Sequence, residues 1–176
     1  MGGPGMTRAD VQIRRIAPSE AAEYRTIRLE ALQRDPEAFG ATFESENAQP
    51  LTWFADRLAG SEVLGAYRDL ELMGTAALSV RQGAKEAHKG IVWGVYVRLE
   101  ARRAGVARLL TEAIIQLARS RVELIQLTVA LGNEAAHRMY ASLGFLEYGT
   151  ERNALKQNGR YYDEILVAKS LTPKSD

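Results

Sequence analysis

The stretch Asn133–Phe145 reads NEAAHRMYASLGF, and it is organised as a short helix with both ends marked. Asparagine is a favoured N-cap, so Asn133 opens the helix. Gly144 closes it, because glycine tolerates the left-handed conformation that commonly ends a helix. Between them, Ala136, Tyr140 and Leu143 recur at helical spacing and define one apolar face. The helix is bracketed by strand-like runs, LIQLTVAL (Leu124–Leu131) before it and FLEYGTERNAL (Phe145–Leu155) after it. Alternation of this kind points to one mixed α/β domain.

Working outward toward the N-terminus, IVWGVYV (Ile91–Val97) is nearly all apolar, as expected of a central strand covered on both faces. The polar loop QGAKEAHKG precedes it. Before that loop, VLGAYR and LMGTAALSV read as two strands joined by a tight turn at Asp69 to Glu71. VQIRRI (Val11–Ile16) alternates like a half-buried strand. A helix opens at Pro18-Ser19-Glu20 with Ser19 as its expected cap, carries Ile27, Leu29, Ala31 and Leu32, and stops near Asp35-Pro36. TWFADRLA (Thr52–Ala59) is expected to be a second helix capped by Thr52. A third spans Gly105–Arg119, with Val106, Leu109, Leu110, Ala113, Ile114 and Leu117 in register. At the other end, FLEYGTERNAL and RYYDEILVAKSL flank Asn158-Gly159, a strong hairpin signal.

Composition narrows the function. Apolar residues make up 46% and charged residues 26% of the 176, ordinary values for a globular domain. With 23 basic and 22 acidic residues the net charge is +1, which gives no electrostatic reason to expect nucleic acid or an anionic membrane as partner. The absence of cysteine excludes disulfides, thiol nucleophiles and thiolate metal sites. Two histidines far apart, His88 and His137, argue against a metal site. No apolar stretch approaches the ~20 residues of a membrane span. MGGPG reads as a disordered lead or the remnant of an added leader, with Met6 a candidate native start, and residues 1–10 lack a signal-peptide core. The expected location is therefore cytoplasmic.

The stretch RRAGVARLL (Arg102–Leu110) sits between the central strand and the long helix. A helix start gathers unpaired N–H groups and a partial positive charge, so it stabilises anions. Ala104, Gly105 and Ala107 are small enough for a pyrophosphate to approach the backbone. Arg102, Arg103 and Arg108 can add charge-assisted hydrogen bonds. The GKS/GKT ending of a Walker loop is missing, and only one of the three Rossmann glycines is present. Taken alone, the stretch fits both a phosphate cradle and the ordinary start of a surface helix, and the ordinary helix start is the first reading.

The two motifs together decide. Arg102, Gly105 and Ala107 satisfy Arg/Gln-x-x-Gly-x-Gly/Ala, and Asn133, Ala136, Tyr140, Gly144 and Phe145 satisfy Asn-x-x-Ala-x-x-x-Tyr-x-x-x-Gly-Phe. In this order and context the chain resembles the GCN5-related N-acetyltransferase (GNAT) family, from Val11 to Leu171 and most densely from Ile91 to Phe145. The resemblance implies an α/β (α+β) fold with a mixed, mostly antiparallel sheet of about seven strands, splayed between the fourth and fifth and flanked by about four helices. It implies a single acetyltransferase domain over 11–171 with a tail at 172–176.

It further implies acetyl-CoA as co-substrate without a metal, held by Arg102, Arg103, Ala104, Gly105, Val106, Ala107 and Arg108 at the pyrophosphate. The backbone of Val95 and Val97 and the side chain of Asn133 would hold the pantetheine arm, and Tyr140 would give its proton to the departing thiolate. Leu99 stands where proline is common in the family and Arg103 where glycine is common. Ile91 matches a position where some members carry a general-base glutamate.

Acyl transfer from a thioester requires an amine that has lost a proton, a donor for the oxyanion and a protonated leaving group. The expected reaction is transfer of acetyl to a primary amine, with a small molecule favoured as acceptor. Alternatives are a protein or peptide N-acetyltransferase and a catalytically idle acyl-CoA-binding module. Relatives are often dimers, which makes a homodimer one assembly to expect. Acceptor candidates fall in AFGATFESE (Ala38–Glu46) and GRYYDE (Gly159–Glu164). Glu44 and Glu46 read first as a solvated acidic loop, Tyr161, Tyr162 and Asp163 as packing or a rim, and His88 as a weak candidate base.

Overall fold

The computed structural model describes residues 10–172. The lead expected over 1–10 and the tail expected over 172–176 lie outside these residues, apart from Asp10 and Thr172. Seven strands form one sheet: β1 (Gln12–Arg15), β2 (Glu62–Arg68), β3 (Glu71–Val80), β4 (Lys89–Val97), β5 (Leu124–Ala130), β6 (Leu146–Gln157) and β7 (Arg160–Ser170), in the spatial order β1-β2-β3-β4-β5-β7-β6. Every neighbouring pair is antiparallel except β4 and β5. Five helices accompany them: α1 (Ala21–Arg34), α2 (Phe43–Asn47), α3 (Leu51–Gly60), α4 (Val106–Ala118) and α5 (Glu134–Ser142). None among the described residues is long and apolar enough to cross a membrane.

Side chains on successive strand positions point to opposite faces, and here both faces are covered. On β2, Val63 and Tyr67 join the core beneath α1 and α3, with Ile27, Phe54 and Leu58. Leu64 and Ala66 of the same strand join the opposite core with Leu110 and Ile114 of α4. This two-sided burial explains why the central strands read as continuous apolar runs. Each buried aliphatic or aromatic side chain contributes about 1.5–3 kcal/mol relative to exposure.

Two helix starts differ from the sequence expectation. Ser19 does not cap α1, which begins at Ala21 after a single turn of 3-10 helix at Pro18–Glu20. Glu20 holds the cap position of α1 without a side-chain bond to that helix; its carboxylate accepts from the Ala17 N–H ahead of the 3-10 turn at 2.8 Å and pairs with Arg14 at 2.7 and 2.9 Å. Thr52 does not cap α3. Pro50 holds the cap position, its carbonyl accepting from the Trp53 N–H at 3.0 Å, because the ring presets the backbone where no N–H is needed. The short α2 had no periodic signal in the sequence. Asn133 and Gly144 behave as read: Asn133 Oδ1 accepts from the Ala136 N–H at 3.2 Å, and Gly144 takes φ +87° after the helix. Asn158 and Gly159 both have positive φ in the β6–β7 turn.

Candidate functional site

The site exists because two strands part. β4 and β5 pair only at Lys89–Leu124, Gly90–Ile125 and Ile91–Gln126, although β4 continues to Val97 and β5 to Ala130. Beyond Ile91 the edge of β4 has no β5 partner, and an edge of free N–H and C=O groups is a template for an added strand. Val95 and Val97 lie on this edge, but the Val97 carbonyl already accepts from Arg102 Nε at 2.9 Å, which leaves Val95 the freer of the two. A bulge marks the same segment: Gly94 and Val95 together oppose Ala76 on β3, since Thr75 pairs with Tyr96 and Ala77 with Trp93. Gly94 carries the bulge at φ +62°, a conformation costly to residues with a Cβ. The Thr75 hydroxyl fixes it by donating to the Gly94 carbonyl at 3.0 Å.

A cavity of about 1180 Å³ fills the cleft and runs from the start of α4 to the β6–β7 hairpin. Among the residues singled out in the sequence, Val95, Val97, Arg102, Arg103, Gly105, Val106, Ala107, Arg108, Asn133 and Tyr140 all line it. Ala104 does not line it and packs instead against the core beneath α4.

At one end the chain turns into α4 through two left-handed residues, Arg103 (φ 65°) and Gly105 (φ 76°). A glycine at position 103, common in the family that the chain resembles, would enter that conformation without the strain an arginine bears. The first backbone bond of the helix runs from the Leu109 N–H to the Gly105 carbonyl at 3.0 Å, so the N–H groups of Val106, Ala107 and Arg108 have no partner within the helix. The three arginines divide. Arg102 donates from Nε to the Val97 carbonyl at 2.9 Å and from Nη2 to Asp35 at 2.7 Å, and its guanidinium lies over the Tyr96 ring. Arg108 is engaged by Glu112 at 2.9 Å and by the Ser142 hydroxyl at 2.8 Å. Arg103 is exposed and unpaired among the described residues. A free guanidinium beside open N–H groups fits a pyrophosphate.

Mid-cavity, Tyr140 is 5% exposed and packs edge-on against Phe145, with ring centroids 5.5 Å apart. Burial alone pushes its phenol up to about 12, because a phenolate would lose its hydration. The Oδ1 of Asn133 is committed to the helix cap, which leaves its amide NH2 for the cavity. Ile91 lines the cavity as an apolar wall.

The far wall corrects the acceptor-side reading. Glu46 is not part of a solvated loop. It is buried, accepting from Arg28 Nε and Nη2 at 2.8 and 2.7 Å and from Arg57 Nη1 at 3.1 Å. Burial pushes its carboxyl up, but the bonds from the two arginines outweigh it and hold the group below its ordinary value. Glu44 stays exposed. The GRYYDE residues also divide. Tyr161 is exposed under Lys156, and Asp163 caps the Asn153 N–H at 2.8 Å. The cavity is lined instead by Glu164, with its cross-strand partner Glu151 and with Tyr148. Burial raises the Glu164 carboxyl, with Glu151 adding to the rise and a hydrogen bond from Thr128 opposing it. His88 sits in an exposed loop away from the cavity, and His137 lies 3.6 Å from Glu147 on the surface. Arg28 is not singled out by the sequence, and Glu46 reads there as solvated, because charges in TIRLEAL and FESEN look like the solvent side of a helix and of a loop. Glu164 ends the GRYYDE stretch, two residues past the aromatic pair Tyr161–Tyr162, and has no local feature that sets it apart from a surface carboxylate.

Comparison with known proteins agrees with this geometry. A family model described as the acetyltransferase (GNAT) family matches residues 26–145. The L-amino acid N-acetyltransferase AaaT of Escherichia coli K12 is 28% identical over 159 residues, covering 88% of this chain and 96% of that one. Ribosomal-protein-alanine N-acetyltransferase from Brucella melitensis superposes with a TM-score of 0.76 at 25% identity, covering 90% of this chain and 99% of that one. The Salmonella typhimurium acetyltransferase yncA, solved with acetyl-CoA, shares the fold with a TM-score of 0.78 at 21% identity, covering 95% and 97%. Sequence motifs, the parted strands and the family match coincide, and the chain belongs to the GNAT family of acetyltransferases and is an N-acetyltransferase.

Proposed function

We propose that this chain transfers acetyl from acetyl-CoA to the primary amine of a small molecule, with Tyr140 as the proton donor to the leaving thiolate. The observation that carries the proposal is one continuous cavity joining the free Arg103 and α4 N–H groups, the unpaired β4 edge, Tyr140 and a charged far wall. Arg103 and the N–H groups of Val106, Ala107 and Arg108 hold the pyrophosphate. Arg102 and Arg108 brace the loop, and Val95 and Asn133 orient the pantetheine arm. When bound, acetyl-CoA supplies the thioester.

As the amine nitrogen bonds to the acetyl carbon and the carbon–sulfur bond breaks, negative charge collects on sulfur. Tyr140 keeps its proton at physiological pH because burial holds the phenol far above neutrality. The same low-dielectric surroundings strengthen the sulfur's demand for that proton. Glu164, also raised by burial, is placed to take the proton that the ammonium must lose.

The E. coli relative's activity on L-amino acids supports a small acceptor. A second reading, acetylation of a protein N-terminus, is favoured by the likeness to the Brucella enzyme. Thiol release from acetyl-CoA, screened over amino acids, other small amines and peptides, separates them. Turnover of free amino acids or amines and not of peptides is expected, and turnover of peptides alone would overturn the proposal. Protection of the fold against heat by acetyl-CoA without turnover of any amine would leave only a binding module.

A further inference from the structure

The α1 side of the cavity carries more positive charge than the protein neutralises. Arg28 and Arg57 share one carboxylate, Glu46, and both Glu46 oxygens are already committed. The cluster is deeply placed, with side-chain exposures of 7% for Arg28 and 5% for Glu46. Arg28 uses Nε and Nη2 on Glu46, while its Nη1 is buried without any hydrogen-bond partner. A guanidinium cannot discharge by losing a proton, and an unpaired donor on a charged group is expensive to bury. That nitrogen approaches the β4 bulge: a Cβ built on Gly94 would find Arg28 Nη1 as its nearest neighbour at 3.9 Å. The guanidinium therefore stands beside the strand segment where the parted sheet opens. Arg28, Arg57, Phe39 and Trp93 all line the same cavity, with Arg57 stacked over Trp93 at 4.5 Å and Arg28 over Phe39 at 5.1 Å. The β6–β7 wall of that cavity has the opposite sign, from Glu151 and Glu164.

We infer that Arg28, seconded by Arg57, reads a carboxylate on the acceptor, so that the acceptor is an α-amino acid lying with its carboxylate toward α1 and its amine toward Glu164. The inference rests on the acetyl-transfer reading above and adds a subsite to it. Planar guanidinium donors match a carboxylate better than a point charge does. A site with a buried unpaired donor discriminates strongly against ligands that cannot satisfy it.

The test uses the purified full chain and acetyl-CoA-dependent thiol release, with each of the common L-amino acids measured against its own carboxamide. At least one free acid is expected to exceed its carboxamide about 100-fold in kcat/KM. Arg28→Lys is expected to shrink that ratio at least tenfold, mainly through KM, because an ammonium lacks the fork, while acetyl-CoA still protects the variant from heat. Arg57→Gln, at a side chain 24% exposed, is expected to shrink it too, and it decides the matter with the wild-type ratio if Arg28→Lys fails to fold. Equal rates for acids and carboxamides in the wild type, or an undiminished ratio in the variants that fold, would overturn the carboxylate subsite and leave acetyl transfer standing. Absence of turnover with every acid, carboxamide and simple amine would bring down the acetyl-transfer reading itself.

Discussion

Tyr140→Phe separates chemistry from packing because the ring has a packing partner while the hydroxyl bonds to nothing among the described residues. The ring is 5% exposed and meets Phe145 edge-on at 5.5 Å, and phenylalanine retains both the burial and the contact. The hydroxyl donates no hydrogen bond to the protein among the described residues, so its removal orphans nothing. Stability is therefore expected to stay level or rise slightly, within about 1 kcal/mol. Turnover is another matter: loss of a positioned general acid costs about 10²–10⁴ in rate, or about 2.7–5.5 kcal/mol of transition-state stabilisation. Steady-state thiol release should show the loss in kcat, with acetyl-CoA affinity by thermal shift or calorimetry nearly unchanged. A leaving group that no longer needs the acid should rescue the variant, so an acetyl thioester of a thiol with lower pKa is expected to narrow the gap. Equal kcat for variant and wild type would refute the proton-donor role. A large fall in melting temperature alongside the rate would show instead that the hydroxyl was holding the fold.

Further outcomes follow from particular contacts. Glu46→Gln leaves Arg28 buried without its counter-charge and should lower stability by about 3–5 kcal/mol, read as a fall of about 2–4 °C in melting temperature per kcal/mol. Arg103→Gly should move two readouts in opposite directions. Relief of the left-handed strain raises stability by up to about 1 kcal/mol, while acetyl-CoA binding weakens and loses part of its salt dependence. Tyr140, raised by burial to about 12, contributes to alkaline unfolding with a definite sign. The folded state holds the proton more tightly than the unfolded chain, so the contribution is complete below about pH 10 and is lost as pH rises toward 12. Chemical denaturation across that window should show a shallower loss for Tyr140→Phe than for wild type. An identical slope would place the alkaline sensitivity in the other buried tyrosines, Tyr24, Tyr67 and Tyr96, all of which are raised by burial.

Local chemistry was legible in the chain wherever a short segment carries its own reason. Asn133 and Gly144 bracket α5, Asn158-Gly159 turns the last hairpin, and the apolar run ending at Val97 is a central strand. Each depends on backbone conformation or periodicity within a few residues. The two motifs around Gly105 and Tyr140 likewise sit on contiguous helix starts and faces, which is why residues of both could be picked out before the fold placed them along one cavity. What the sequence alone could not determine depends on distance along the chain. Arg28 and Glu46 are 18 residues apart, and only the seating of α2 over α1 turns two apparently solvated charges into a buried pair. Ser19 and Thr52 look like caps in isolation, but Glu20 is drawn in by Arg14 from β1, and Pro50 starts α3 earlier. The parting of β4 from β5 has no local signature beyond Gly94, and Glu164 reaches the cavity only through the register of β7 against β5. Short-range periodicity and capping set the elements and the start of α4 at one end of the cavity. Long-range packing set the charge of the far wall of the cavity, because burial and pairing belong to the neighbours that the fold brings together.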